Sequence, residues 1–247
     1  MARIGSRHAM GLDQAMSGLV GIGVGPGDPE LVTLKAARLV QELSVLAHIG
    51  ADGRPSRARR IVANLIPDGM VELAADMPMR CAPDAARPVY DDLAVRIADQ
   101  VALGRSVGFL CEGDPLLYGS FIAILDRLGD RLPVSVVPGI TSVAAASSLA
   151  RHALAQRDEV VTILPATAGD ARLEQALASA DSVAILKVGR HLPRIRTLLK
   201  RFELADHAQV VTEVGGAAET SEPLSSVRTD RLPYFALILA RRARQPR

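Results

Sequence analysis

Three stretches of this sequence set glycine beside an acid or a hydroxyl, a combination that opens the main chain to a ligand and offers it a charge or a hydrogen bond. They are Gly23-Val24-Gly25-Pro26-Gly27-Asp28-Pro29, then Glu112-Gly113-Asp114-Pro115-Leu116-Leu117-Tyr118-Gly119-Ser120, then Val137-Pro138-Gly139-Ile140-Thr141-Ser142. Glycine reaches backbone conformations that other residues avoid and lets a bound molecule approach closely. The first stretch is not a dinucleotide fingerprint, because counting from Gly21 puts Pro26 where the last glycine belongs, and counting from Gly23 puts Asp28 there. Nor is it a P-loop, since no Gly-Lys-Ser/Thr follows. An acid at the mouth of the following helix repels pyrophosphate, so the pattern favours a ligand that carries no phosphate.

Metal and thiol chemistry find little support. Cys81 and Cys111 form no C-x-x-C, and His8, His48, His152, His191 and His207 are dispersed without ligand spacing. We expect no metal site and no disulfide framework, which fits a reducing cytoplasm.

The elements that must hold these turns are short buried strands. A short strand at the head of the 18–31 stretch runs into the first turn, Ser106–Cys111 into the second and Val134–Val137 into the third. Asp28-Pro29 reads as a helix start, followed by an apolar stripe at Val32, Ala36, Leu39, Val40 and Leu43. Three turns at strand ends imply a parallel sheet whose carboxyl edge gathers them, the place where open α/β sheets bind ligands. Further strands are expected at Ser44–Ile49 and Met70–Leu73, with a loop from Ala74 to Pro88. Helices are expected at Tyr90–Ala102, Phe121–Leu128 and Val143–Leu149. Beyond a charged stretch at Arg151–Asp158 the pattern restarts, with strands at Val160–Leu164, Val183–Val188, Gln209–Glu213 and Tyr234–Ala240 and helices at Asp170–Ser179 and Leu192–Arg201. The expected fold is therefore α/β, two lobes spanning 19–150 and 151–247 with a ligand cleft between them, after a disordered extension over 1–18.

Composition narrows the function classes. The chain has 247 residues, 49% hydrophobic and 23% charged, which suits a globular protein with a sizeable core. Aromatic residues make up 3% with no Trp, leaving few stacking surfaces for single-stranded nucleic acid. A net charge of +2 is too mild to argue for a nucleic-acid or membrane partner, and no apolar run has the length of a membrane span. The basic segment Arg54-Pro55-Ser56-Arg57-Ala58-Arg59-Arg60 reads either as a solvated face or as a surface that attracts an anion.

Taken in order, the three turns resemble the signature turns of the tetrapyrrole methylases, two-domain α/β enzymes that bind S-adenosylmethionine. The likeness extends from about Leu19 to Ala240. The second turn, Glu112 to Ser120, is similar to the version in the precorrin-2 C20-methyltransferase branch of cobalamin synthesis, and Gly53-Arg54-Pro55-Ser56-Arg57-Ala58 resembles that branch more loosely. Other readings are another corrin-ring methylase, a diphthine synthase or rRNA ribose methylase of the same superfamily, or a non-catalytic module that keeps the cofactor cleft.

The resemblance implies a cofactor pocket formed by Pro26, Gly113, Asp114, Leu117, Thr141, Ser142, Val188, Gly215 and Leu237. S-adenosylmethionine carries a sulfonium cation and no phosphate, so an acid on a glycine turn is welcome. Asp114 reads equally as a helix cap before Pro115. Methyl transfer to an electron-rich meso carbon needs positioning and, afterwards, a proton acceptor, for which Glu112, Asp114 and Tyr118 are the candidates. Tyr118 reads otherwise as a packed aromatic. The substrate implied is precorrin-2 or cobalt-precorrin-2, a polycarboxylate, which gives Arg54, Arg57, Arg59 and Arg60 a purpose in binding its acid side chains, with Arg54, Arg57 and Arg60 as the leading candidates. The resemblance also implies a homodimer.

Overall fold

Residues 17–78 and 83–242 are described in a computed structural model of the chain. All but Ser17 and Gly18 of the expected N-terminal extension, and Cys81, lie outside the described residues. By their contacts the residues fall into two units: one runs up to Val24 and resumes over Val32–Gly139, while the other takes Gly25–Leu31 and the chain from Ile140 onward.

The first unit is built on strands β1 (Leu19–Gly23), β2 (Val45–Ala51), β3 (Val71–Met77), β4 (Val107–Cys111) and β5 (Val134–Val137). They lie in the order β3-β2-β4-β1-β5, and every pair is parallel. Parallel strands covered on both faces are apolar throughout, and every residue of β1 and β4 is buried. Helices α1 (Leu34–Glu42) and α2 (Arg57–Ile61) cover one face around Ile22, Leu46 and Leu110, while α3 (Arg87–Ala102) and α4 (Phe121–Leu128) cover the other around Leu19, Val107 and Phe109. Gly21 lacks a side chain for a reason: a Cβ there would lie 2.6 Å from the Phe121 ring, which packs on the sheet and against Phe109 at 5.7 Å between centroids.

The second unit contains α5 (Ser142–Ala150), β6 (Val161–Pro165), α6 (Asp170–Ser179), β7 (Ser182–Leu186), α7 (Leu192–Arg201), β8 (Gln209–Thr212), β9 (Thr220–Pro223) and β10 (Ala236–Arg241). Its sheet runs β6-β7-β10-β8-β9, with β6 and β7 parallel and the other pairs antiparallel. Helix α5 packs Val143 and Ala146 on Ala184, Val211, Leu237 and Leu239 of this sheet.

That packing corrects the expected boundary. The contacts change over at Ile140 rather than at residue 151, because α5, made of small residues that lie close on a sheet, belongs to the second core. The charged stretch after it marks a surface, not a domain edge. Other differences are local. Asp28 caps only a 3-10 turn, Pro29–Leu31, its Oδ1 accepting the Glu30 N–H at 2.9 Å. Helix α1 starts at Leu34, with the Thr33 hydroxyl oxygen accepting the Ala36 N–H, so Val32 precedes it. Strand β3 continues to Met77 where a loop was expected, and α3 begins at Arg87. Neither α2 nor β9 was expected: α2 is one turn within a basic run, and β9 is a fully exposed polar edge strand that lacks apolar alternation.

Candidate active site

In the first unit, the strands that lead into the three glycine turns are neighbours, with β1 between β4 and β5. Gly23 pairs with Cys111 and Ile22 with Val137, so the three chains leave the sheet at one level of its carboxyl edge. One glycine from each turn then meets the others. A Cβ on Gly23 would lie 2.5 Å from the Gly139 nitrogen and 2.7 Å from the Gly113 carbonyl oxygen, and one on Gly139 would lie 2.0 Å from that same oxygen. Side chains do not fit at these positions, and Gly113 also has a φ of +64° that disfavours any other residue.

Asp114 ties this knot. Its Oδ1 accepts the Leu116 N–H at 2.9 Å, closing its own turn, and its Oδ2 accepts the Gly139 N–H at 3.1 Å, joining the second turn to the third. No helix begins at Pro115, so the cap reading of Asp114 gives way to a brace between turns; the next helix starts at Phe121. Leu117 is half-buried, its N–H donating to the Asp114 carbonyl at 3.3 Å. Tyr118 is exposed and has a φ of +56°, a costly conformation for a bulky residue, so it is not a core aromatic. Glu112 lies half-buried on the same turn. Beneath it, burial pushes the Cys111 thiol up to about 12.

The second unit holds the remaining expected residues. Pro26 is buried on the Gly25–Leu31 segment, and Gly215 comes against that segment: a Cβ on Gly215 would lie 2.8 Å from the Asp28 nitrogen and 2.9 Å from that of Gly27. Gly215 has a φ of +77° and donates its N–H to Glu219 Oε2 at 2.8 Å. Thr141 caps α5, its Oγ1 accepting the Ala144 N–H at 3.2 Å, and Ser142 is the first helical residue. Val188, after β7, and Leu237, in β10, are buried in the two layers of this unit's core, so main chain is what these positions can offer a ligand.

Two further residues at the edge of this unit's sheet have a conformation that sequence reasoning did not anticipate. Lys187 follows β7 and Glu213 follows β8, strands that both run antiparallel to β10 and so end at the same edge. Their φ values are +56° and +49°. Left-handed non-glycine residues store strain of about 1–3 kcal/mol and concentrate at functional sites. Nothing in their types signals it.

The basic segment divides. Arg59, expected with the others to meet an acid of the ligand, is instead turned inward, its Nε and Nη2 donating to Glu72 at 2.9 and 3.0 Å, because a strand carboxylate lies within reach. Arg54 is exposed, 4.0 Å from Asp52, while Arg57 is half-buried and Arg60 exposed on α2.

Comparison with known proteins places this geometry. The family model for tetrapyrrole (corrin/porphyrin) methylases matches residues 18–226. The chain is 38% identical to a precorrin-2 C(20)-methyltransferase from Sinorhizobium sp, over 90% of this chain and 94% of that one. It is 33% identical to a cobalt-precorrin-2 C(20)-methyltransferase from Salmonella typhimurium, over the same shares of the two chains. Among solved structures, a Thermus thermophilus uroporphyrin-III C-methyltransferase complexed with S-adenosylhomocysteine shares the fold at a TM-score of 0.65 and 24% identity, covering 90% of this chain and 91% of that one. With three ordered turns gathered on a parallel sheet and a model match across most of its length, the chain belongs to the tetrapyrrole methylases.

Proposed function

We propose that this protein methylates C20 of precorrin-2, or of cobalt-precorrin-2, in cobalamin biosynthesis, with S-adenosylmethionine as methyl donor. The observation that carries the reading is the knot of Gly23, Gly113 and Gly139 fastened by Asp114, which leaves bare main chain and one carboxylate at a sheet edge. The similarity to both C20-methyltransferases supports a substrate of this class.

The residues fit such a donor. Glycine turns accept a nucleoside without side-chain clash, and the Asp114 carboxylate, although bonded to two N–H groups, has further lone pairs to offer. The first N–H groups of α5, at Ser142, have no helical partner and favour an anion such as an amino-acid carboxylate. We assign cofactor contacts to Gly113, Asp114 and Leu117 and to Pro26, Thr141, Ser142, Val188, Gly215 and Leu237. When bound, S-adenosylmethionine supplies an electrophilic methyl group on a cationic sulfur. The chain's own work is to hold the C20 carbon in line with that methyl and to take up the C20 proton, for which Glu112, Asp114 and Tyr118 are the candidate acceptors. Arg54, Arg57 and Arg60 bind side-chain carboxylates of the macrocycle.

We further propose that the enzyme acts in the cytoplasm as a homodimer, free of nucleic acid and membrane; none of the described helices is long and apolar enough to cross a bilayer. Light scattering at micromolar concentration tests the dimer. For the activity, anaerobic incubation with precorrin-2 and a labelled methyl donor, read by mass spectrometry, gives a product with one added methyl. Binding of donor without any labelled tetrapyrrole would defeat the proposal.

A further inference from the structure

Strand β3 carries Glu72 and Asp76 on one face, because residues an even number apart along a strand point the same way. Leu73 and Ala75 point to the opposite face and join the core under α3. The acidic face looks toward α2, whose Ala58 and Ile61 are buried on that side of the sheet. Both carboxylates hold the segment that bears Arg54, Arg57 and Arg60.

Asp76 takes one end. Its two oxygens accept the Gly53 N–H at 3.0 Å each, fixing the turn in which Asp52 and Gly53 have φ values of +50° and +71° and from which Arg54 projects. Gly50 lets that turn fold back, since a Cβ there would lie 2.3 Å from the Arg54 carbonyl oxygen. Glu72 takes the other end. It accepts two hydrogen bonds from Arg59 in the parallel, two-pronged geometry that is the strongest form of this pair. A third comes from buried His48 on neighbouring β2, whose Nε2 is 2.9 Å from Oε2. With Arg59 turned to β3, the i, i+3 relation sets Arg57 and Arg60 on a common side of α2, about 5–6 Å apart at Cβ, a spacing suited to a carboxylate-bearing ligand.

We infer that Glu72, with His48, and Asp76 are positioning residues for substrate recognition: they fix the backbone of residues 53–60 so that Arg54, Arg57 and Arg60 meet the acid side chains of the tetrapyrrole already oriented. The inference rests on the assignment of those arginines to precorrin-2. Preorganisation lowers the ordering penalty that flexible arginines otherwise impose on binding. The predicted signature is a loss confined to KM for the tetrapyrrole.

Anaerobic steady-state kinetics with precorrin-2, beside calorimetry with S-adenosylmethionine, test this. Glu72→Ala raises KM for precorrin-2 about 5-fold, leaves kcat and donor affinity within about 2-fold, and Glu72→Gln, which keeps one acceptor, recovers part of the loss. Arg57→Ala with Arg60→Ala raises KM more, and adding Glu72→Ala to that pair raises it no further, since Glu72 holds the end that bears Arg57 and Arg60 while Arg54 stays fixed by Asp76. If the arginine pair raises KM while Glu72→Ala and Glu72→Gln do not, the positioning role is wrong. If the three-fold variant shows the product of the separate losses, or donor affinity falls in step with KM, Glu72 serves the fold alone and the role is equally wrong. If the arginine pair leaves KM unchanged, the assignment of the arginines fails first.

Discussion

A methyl group added at Gly139 probes the glycine knot directly. In Gly139→Ala the new Cβ would sit 2.0 Å from the Gly113 carbonyl oxygen and 2.9 Å from the Gly23 Cα, all main-chain atoms that cannot rotate away. The turns must separate, straining or breaking the bond from the Gly139 N–H to Asp114. Overpacking of this kind costs about 1–3 kcal/mol, and loss of a hydrogen bond to a carboxylate costs about 1.5–3 kcal/mol. Because the strain can be relieved by breaking that bond, the two overlap, and a net destabilisation of about 3 kcal/mol is expected. At roughly 2–4 °C per kcal/mol for a chain of this size, Tm falls by about 6–12 °C. Affinity for S-adenosylmethionine falls more than about tenfold, since each decade corresponds to 1.4 kcal/mol. Gly169→Ala is the control, because a Cβ there meets nothing and its φ of −65° suits alanine, so its effect stays within about 1 kcal/mol. Scanning calorimetry and titration calorimetry on the two variants give both numbers. A Gly139→Ala protein with wild-type Tm and wild-type donor affinity would refute the packing on which the site is built.

Other outcomes follow from single groups. Asp114→Asn leaves an oxygen able to accept one N–H but removes the charge, so donor affinity measured by calorimetry drops at least about tenfold, more than Tm changes would suggest. Cys111 resists alkylation in the native protein at pH 8, since burial pushes its thiol up to about 12, and reacts fully in denaturant; native labelling at the unfolded rate contradicts its burial. Burial also holds the His48 imidazole below its ordinary value, so the unfolded chain binds the extra proton more readily; stability is then lost as pH falls below about 6.5. Urea titrations between pH 7 and 5 check this, with His48→Gln expected to give a shallower decline.

Much of the fold was legible because its signals are local. Buried parallel strands such as Val107–Cys111 are continuous apolar runs closed by glycine, and α7 shows its apolar stripe at Leu192, Ile195, Leu198 and Leu199. What escaped depends on partners distant in sequence. Strand β3 extends to Met77 because Glu72 and Asp76 are satisfied by Arg59 and Gly53, contacts that no window around residue 74 contains. Strand β9 exists because β8 lies beside it, with Thr212 and Thr220 hydroxyls 2.8 Å apart. Helix α5 was assigned to the wrong core because its Val, Ala and Ser residues pack equally well on any sheet. At the site, the glycines announced themselves by type, as did Asp114, but its second bond, across to Gly139, is a tertiary fact. The left-handed Lys187 and Glu213 had no signal at all, being residues that ordinarily avoid that conformation.

The most direct test of the account is where the methyl goes. Incubated anaerobically with precorrin-2 and S-adenosylmethionine labelled with carbon-13 in its methyl group, the protein should yield one new methyl resonance coupled to the C20 meso carbon, and S-adenosylhomocysteine in equal amount. A labelled methyl at any other ring carbon, or labelled donor bound and left intact beside unmodified precorrin-2, would contradict it.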